Sequence, residues 1–233
     1  MPDEQARMLD KVLVILAHPD DPEFFCGATI ARWARAGKQI RYCMLTCGDK
    51  GSDDPAMTPD RLCALRHEEQ INAAGVLGVT DLVWLNYRDG ELVPTLETRL
   101  RVAREIRKFQ PDIVVTCDPA RVITAFGTIN HPDHRAAGAI ALEAIMPGAG
   151  NRMYFTELLA EGLEPHQVKE VFIAGAAEPD TVIDVSDTFE LKLKALRQHR
   201  SQIKDPDGLE QRLRSRMGRD GIYVEMFKRL VLA

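Results

Sequence analysis

From residue 11 onward the chain alternates short β-branched runs with longer stretches of helical period, the pattern of a parallel sheet flanked by helices. Nothing else in the sequence narrows the fold as far, because parallel strands need long crossover connections, and these are usually helices. KVLVILA (11–17) reads as a buried strand, IRYCMLTC (40–47) as a second, DLVWLN (81–86) as a third and DIVVTC (112–117) as a fourth. Between them the pattern predicts a helix from about Phe25 to Gly37, one opened by Thr58 and Pro59 and ending at Gly78, and one from Thr95 to Phe109 closed by Pro111. A fourth helix follows Pro132, VFIAG (171–175) and TVIDV (181–185) read as strands, and Asp187 with Glu190 suits a capping box for a helix through Ile203. The tail beyond Asp205 is polar and weakly patterned. The expectation is an α/β, Rossmann-like three-layer sandwich with a mostly parallel sheet, forming a single domain over 1–233 with 204–233 as an extension.

Composition matters mainly for what it excludes. The 233 residues carry a net charge of -5, and the basic residues are scattered rather than gathered in a stripe, which disfavours nucleic acid and anionic membrane as partners. The longest early apolar run, Val12 to Ala17, is too short for a signal-peptide core or a membrane span, so the expected location is cytoplasmic. The five cysteines, Cys26, Cys43, Cys47, Cys63 and Cys117, form no C-x-x-C pair and are expected to be small buried hydrophobes in a reducing compartment.

In open α/β sheets the ligand site lies beyond the carboxyl ends of the strands, here the loops 18–24, 48–58, 87–94 and 118–131. The first strand-to-helix turn holds His18-Pro19-Asp20-Asp21-Pro22-Glu23 where a dinucleotide binder would have G-x-G-x-x-G, which disfavours nicotinamide and flavin. Gly48-Asp49-Lys50-Gly51 reads as a tight turn. A second cluster, His131-Pro132-Asp133-His134, repeats the histidine–carboxylate chemistry of the first; Pro132 fits the first helical position, making His131 the cap residue. A catalytic zinc site wants three protein ligands and one open position. His18, one of the adjacent aspartates and a histidine of the second cluster supply that set, and the remaining aspartate and histidine become an acid–base pair. The residues alone leave open which aspartate ligates.

AHPDDPE at the first strand end, HPDHR later, Gly48-Asp49 and Gly51, Arg66 with Glu69 in RHEE, LNYRDGEL (85–92) and LKLKALRQHRSQ (191–202) together resemble the LmbE-like, or PIG-L, family of zinc-dependent N-acetylglucosaminyl deacetylases. The resemblance spans about residues 11 to 203, and LNYRD with ELKLKALRQHRSQ look most like the branch containing diacetylchitobiose deacetylases. It implies His18, Asp21 and His134 as ligands of one zinc ion per chain, Asp20 as general base, and His131 as oxyanion stabiliser and general acid. Arg66 and Asp89 resemble positions that hold or order the substrate, although a surface ion pair and a turn-former are equally good readings of them. Asp133 is expected to support the site from behind the ligands, and His199 and Gln202 to be structural or site-supporting. AFGTIN, before His131, lacks the tyrosine that some relatives place near the oxyanion.

The implied activity is hydrolysis of the N-acetyl group of an amino sugar, a disaccharide or another N-acetylglucosamine conjugate, by a protein whose relatives are often homo-oligomers. A metallophosphoesterase uses the same residue types but usually needs more ligands, and a non-catalytic carbohydrate-binding protein of the same fold is the third alternative.

Overall fold

The computed structural model describes residues 9–218 and 220–232. Seven strands form one sheet in the order β3-β2-β1-β4-β5-β7-β6. β1 (Lys11–Leu16), β2 (Gln39–Thr46), β3 (Asp81–Tyr87), β4 (Ile113–Cys117) and β5 (Glu170–Ala174) run parallel. β1 is central, with β2 on one side and β4 on the other, so its apolar run buries both faces. Leu13 and Ile15 pack with α3 (Leu96–Phe109) and α4 (Pro132–Glu143), whereas Val12, Val14 and Leu16 pack with α1 (Asp21–Arg35) and α2 (Pro59–Val76). The chain winds outward from β1 to β3 and then returns to lay β4 against the other side of β1. The switch point, where such sheets open a crevice, therefore lies between the carboxyl ends of β1 and β4.

Most expected elements form within one or two residues of their limits, with four differences. The first helix starts at Asp21 instead of about Phe25, with Asp20 at its cap in a left-handed backbone conformation (φ 93°). It is broken at Cys26 (φ −146°). Next, α6 spans only Phe189–Leu196, and the expected capping box is absent: Glu190 binds Arg214 and Asp187 pairs with Arg32. The weakly patterned tail contains α7 (Pro206–Arg214) and β7 (Val224–Val231). β7 lies between β5 and β6 (Thr181–Asp184), antiparallel to both. Its alternating polarity is a half-exposed strand's pattern, weaker than the continuous apolar runs of the parallel strands. Finally, Cys47 and Cys63 form a disulfide across 16 residues, while Cys26, Cys43 and Cys117 are free and buried as expected. The spacing of the pair does not reveal that the end of β2 lies beside α2.

A π-helical segment (Ala144–Ala149) follows α4, and α5 is a short turn at Glu157–Ala160. The buried Arg107 guanidinium donates to the carbonyls of Gly148, Ala149, Asn151 and Tyr154, supplying partners that this irregular backbone lacks. β7 also reaches the site's foundations. Glu225 accepts from Ala28 N (3.1 Å) and Thr29 N (2.7 Å), donors released by the break in α1, and its charge is matched by Lys192 Nζ at 2.6 Å. Among the described residues no helix is long and apolar enough to cross a membrane.

Candidate active site

His18, Asp20 and Asp21 stand at the end of β1, and His131 and His134 at the mouth of α4 after β4; all five line one cavity of about 590 Å³. The turn holding the first three is closed locally: His18 N donates to Asp21 Oδ2 (2.8 Å) and Asp21 N to His18 O (3.2 Å). The left-handed backbone at Asp20 sends the two carboxylates different ways. Asp21 faces His18 (Nδ1–Oδ2 3.5 Å) and His134 (Nε2–Oδ1 3.0 Å), whereas Asp20 faces Arg66 (Oδ2–Nη2 3.3 Å).

Hydrogen bonds fix the histidine tautomers. Asp133 is fully buried and accepts from Gly90 N (2.7 Å) and Leu92 N (3.2 Å); its Oδ2 also lies 3.3 Å from His18 Nε2. A carboxylate can only accept, so His18 Nε2 carries a proton toward Asp133, and Nδ1, which faces Asp21, is the nitrogen that would bind an ion in exchange for its own proton. His134 Nδ1 meets Asn130 Oδ1 at 3.0 Å and donates to it, so that Nε2, beside Asp21, is the nitrogen that would bind an ion in exchange for its proton. At His131 the polarity is reversed: Asp133 N donates to Nδ1 (3.2 Å), as the cap position predicts, so the neutral ring carries its proton on Nε2, the atom that faces Asp89 at 3.7 Å.

The charges are mutually consistent. Burial works against a charged His18, but hydrogen bonds to Asp133, Asp21 and Asp89 outweigh it and raise the imidazole well above its ordinary value. Burial would raise Asp21, yet His134 and His18 hold it well below the carboxylate range. Burial and the neighbouring Asp21 charge push Asp20 up to about 6, with Arg66 pulling the other way. Burial and the charge of His18 lower His131.

Around His18, two groups of side chains have donor atoms close enough to share an ion: His18, Asp21 and His134, and His18, Asp89, His131 and Asp133. In the second group Asp133 is already engaged by two backbone N–H groups and His131 Nδ1 by a third. The first brings two imidazole nitrogens and a carboxylate together, a donor set that fits zinc or a neighbouring first-row ion with a position left open.

Arg66 is 4% exposed and is no surface ion pair. It donates to Gly48 O (3.0 Å), Pro19 O (2.6 Å) and Asp20. The glycine at 48 is required by this passage: φ is +67°, and a Cβ there would fall 2.1 Å from the guanidinium. Asp89 lines the cavity, held by a bond from its backbone N–H to Asp49 (2.8 Å). Gln202 also lines it, whereas His199 is fully buried against Glu23 (3.0 Å).

Some contributors carry no signal of their own in the sequence. Gln70, one helical turn after Arg66, accepts from Asp20 N (2.8 Å) and donates to the buried Glu23 (2.9 Å). AFGTIN, which lacks a tyrosine, supplies Asn130 instead, the partner of His134. Phe24, Phe25 and Lys50 complete the cavity wall. The helical spacing from Arg66 to Gln70 was the one available clue.

Residues 13–145 match the family model PIG-L, described as GlcNAc-PI de-N-acetylase. A diacetylchitobiose deacetylase of Thermococcus kodakarensis is 35% identical over 195 residues, covering 84% of this chain and 71% of the relative. A 1D-myo-inositol 2-acetamido-2-deoxy-alpha-D-glucopyranoside deacetylase of Actinosynnema mirum is 30% identical, covering 83% and 81%. Among solved structures, the N,N'-diacetylchitobiose deacetylase of Pyrococcus horikoshii in complex with an inhibitor superposes with a TM-score of 0.85 at 32% identity, covering 95% of this chain and 84% of that one.

Proposed function

Because the chain belongs to the PIG-L family of de-N-acetylases, we propose that it is a zinc-dependent amidohydrolase that removes the acetyl group from an N-acetylglucosamine-containing substrate, releasing acetate and a free amine. The observation that carries this reading is the convergence on one cavity of a three-donor set, His18, Asp21 and His134, with a separate carboxylate, Asp20, and a separate imidazole, His131.

His18, Asp21 and His134 would hold a divalent ion, which would supply Lewis acidity toward the acetyl carbonyl and the attacking water. Asp20 accepts the proton of the attacking water. Arg66 and Gln70 fix its position, so that carboxylate rotation does not have to be frozen during the reaction. His131, with Nδ1 accepting from the backbone, donates a hydrogen bond from Nε2–H to the developing oxyanion. The proton that Asp20 took from water passes to the departing nitrogen, which returns both side chains to their starting states. Asp89 stands 3.7 Å from the His131 Nε2, too far for a hydrogen bond, and places negative charge beside the ring. Asp133 holds His18 and the backbone of the 90–92 turn together.

A phosphoesterase that clamps its substrate between two ions ~4 Å apart needs two complete ligand sets. The two groups here share His18, whose Nε2 is taken by Asp133 so that one ring nitrogen is left for one ion, which favours the amidohydrolase.

The relatives point to diacetylchitobiose as the first substrate to try and to the N-acetylglucosaminyl inositol glycoside as the second. Acetate release should be measured on both and on N-acetylglucosamine. Asp20→Asn should reduce turnover at least ~100-fold while zinc stays near one ion per chain. Unchanged turnover, or loss of the ion with the amide, would overturn the assignment of Asp20.

A further inference from the structure

Outside the cavity, Cys47, Cys63 and His67 bring three donor atoms within 4.8 Å of one another. Cys47 follows directly on β2, while Cys63 and His67 are one turn apart on the same face of α2. Cys63 Sγ lies 3.9 Å from His67 Nε2, and the two cysteine Cα atoms are 5.1 Å apart. The His67 ring rests on Trp84 at 3.8 Å between centroids, which holds the imidazole toward the sulfurs. We infer that Cys47, Cys63 and His67 form a second metal site, for one thiophilic divalent ion such as zinc, available whenever the Cys47–Cys63 disulfide is reduced.

Tetrahedral zinc, with bonds of about 2.3 Å to sulfur and 2.0–2.1 Å to imidazole nitrogen, requires ligand atoms roughly 3.6–3.8 Å apart. The Cys63–His67 distance of 3.9 Å has to shorten by a few tenths of an ångström and the two sulfurs have to separate, both within reach of side-chain rotation. Three protein ligands leave the fourth position to water. Soft thiolates distinguish this set from the oxygen- and nitrogen-only group in the cavity.

The chemistry balances with a two-electron reductant such as a dithiol or a phosphine. The S–S bond takes two electrons and two protons to give two thiols, and each thiol releases its proton to solvent when its sulfur binds the ion. Either state, disulfide or metal, ties the end of β2 to α2 beside Arg66, whose grip on Gly48 O begins one residue after Cys47 and three after Cys63. Reduction without metal removes that tie.

The test uses the whole protein reduced with a water-soluble phosphine and titrated with cobalt(II). Cobalt in the cavity group gives no sulfur-to-metal charge transfer because none of its donors is sulfur. The reduced wild type should develop an intense near-ultraviolet thiolate-to-cobalt band, with one cobalt per chain beyond that in the cavity. The band should be absent from the oxidised protein and from both Cys47→Ser and Cys63→Ser, and His67→Ala should weaken binding at least ~10-fold. Circular dichroism of the serine variants separates loss of a ligand from loss of fold. A reduced, folded wild type with no such band overturns the inference, as does a band that survives both serine variants. Either result leaves the deacetylase reading intact, since that is measured by acetate release.

Discussion

Arg66 and Asp133 do different work for neighbouring side chains, and substitutions should separate them. Arg66→Lys keeps the charge but loses the planar fork that spans Gly48 O, Pro19 O and Asp20. Turnover should fall roughly 10–100-fold, about 1.4–2.7 kcal/mol in barrier, with zinc content unchanged. Asp133→Asn replaces an oxygen that accepts from backbone and imidazole with an amide that donates. Zinc affinity should drop about 10–100-fold, as measured by competition with a chelator. At this scale the sequence is informative wherever a residue type is out of place: histidines and paired aspartates where strands end mark His18, Asp20, Asp21, His131 and His134. It assigns no role to Glu23, Gln70 or Asn130. A glutamate in a helix's first turn, a glutamine on a helix and an asparagine in a loop are ordinary there, and their partners are set only by tertiary packing.

The elements themselves were legible where both faces of a strand are buried or a proline and a cap mark a helix start, as at β1, α2 and α4. The break in α1 was not, because its stabilising group lies 197 positions away in β7. Glu225→Ala should leave Ala28 N, Thr29 N and the Lys192 ammonium without their partner in a buried setting, costing about 3–5 kcal/mol in urea denaturation. The contact between α1 and the segment after α6 adds a pH dependence. Burial disfavours the charged His199, but Glu23 outweighs it and raises the imidazole above its ordinary 6.5. A raised native value contributes stability that is complete below 6.5 and is lost as pH rises through that native value. Zinc-loaded protein should therefore weaken across that window in pH-resolved melts. His199→Gln should flatten this part of the curve, and an unchanged slope would remove the pair from the account.

For the molecule as a whole, the parallel half of the sheet follows from the sequence pattern, and the switch point it creates is where the two histidine clusters meet. The antiparallel half does not, since β7 is inserted between two strands that precede it in the chain. A chain shortened to end at residue 217 should lose cooperative unfolding and elute as aggregate in size-exclusion chromatography, because β5 would present an unpaired edge and α1 would lose Glu225. The same insertion orders events on the ribosome. β6, which among the described residues pairs only with β7, has no neighbour while it waits, and the flank of β5 stays open until the strand made after both slides between them. The nascent protein is thus most vulnerable to intermolecular strand pairing between the synthesis of β6 and that of β7, and a peptide spanning 224–231, added in trans, is the natural probe of that interval.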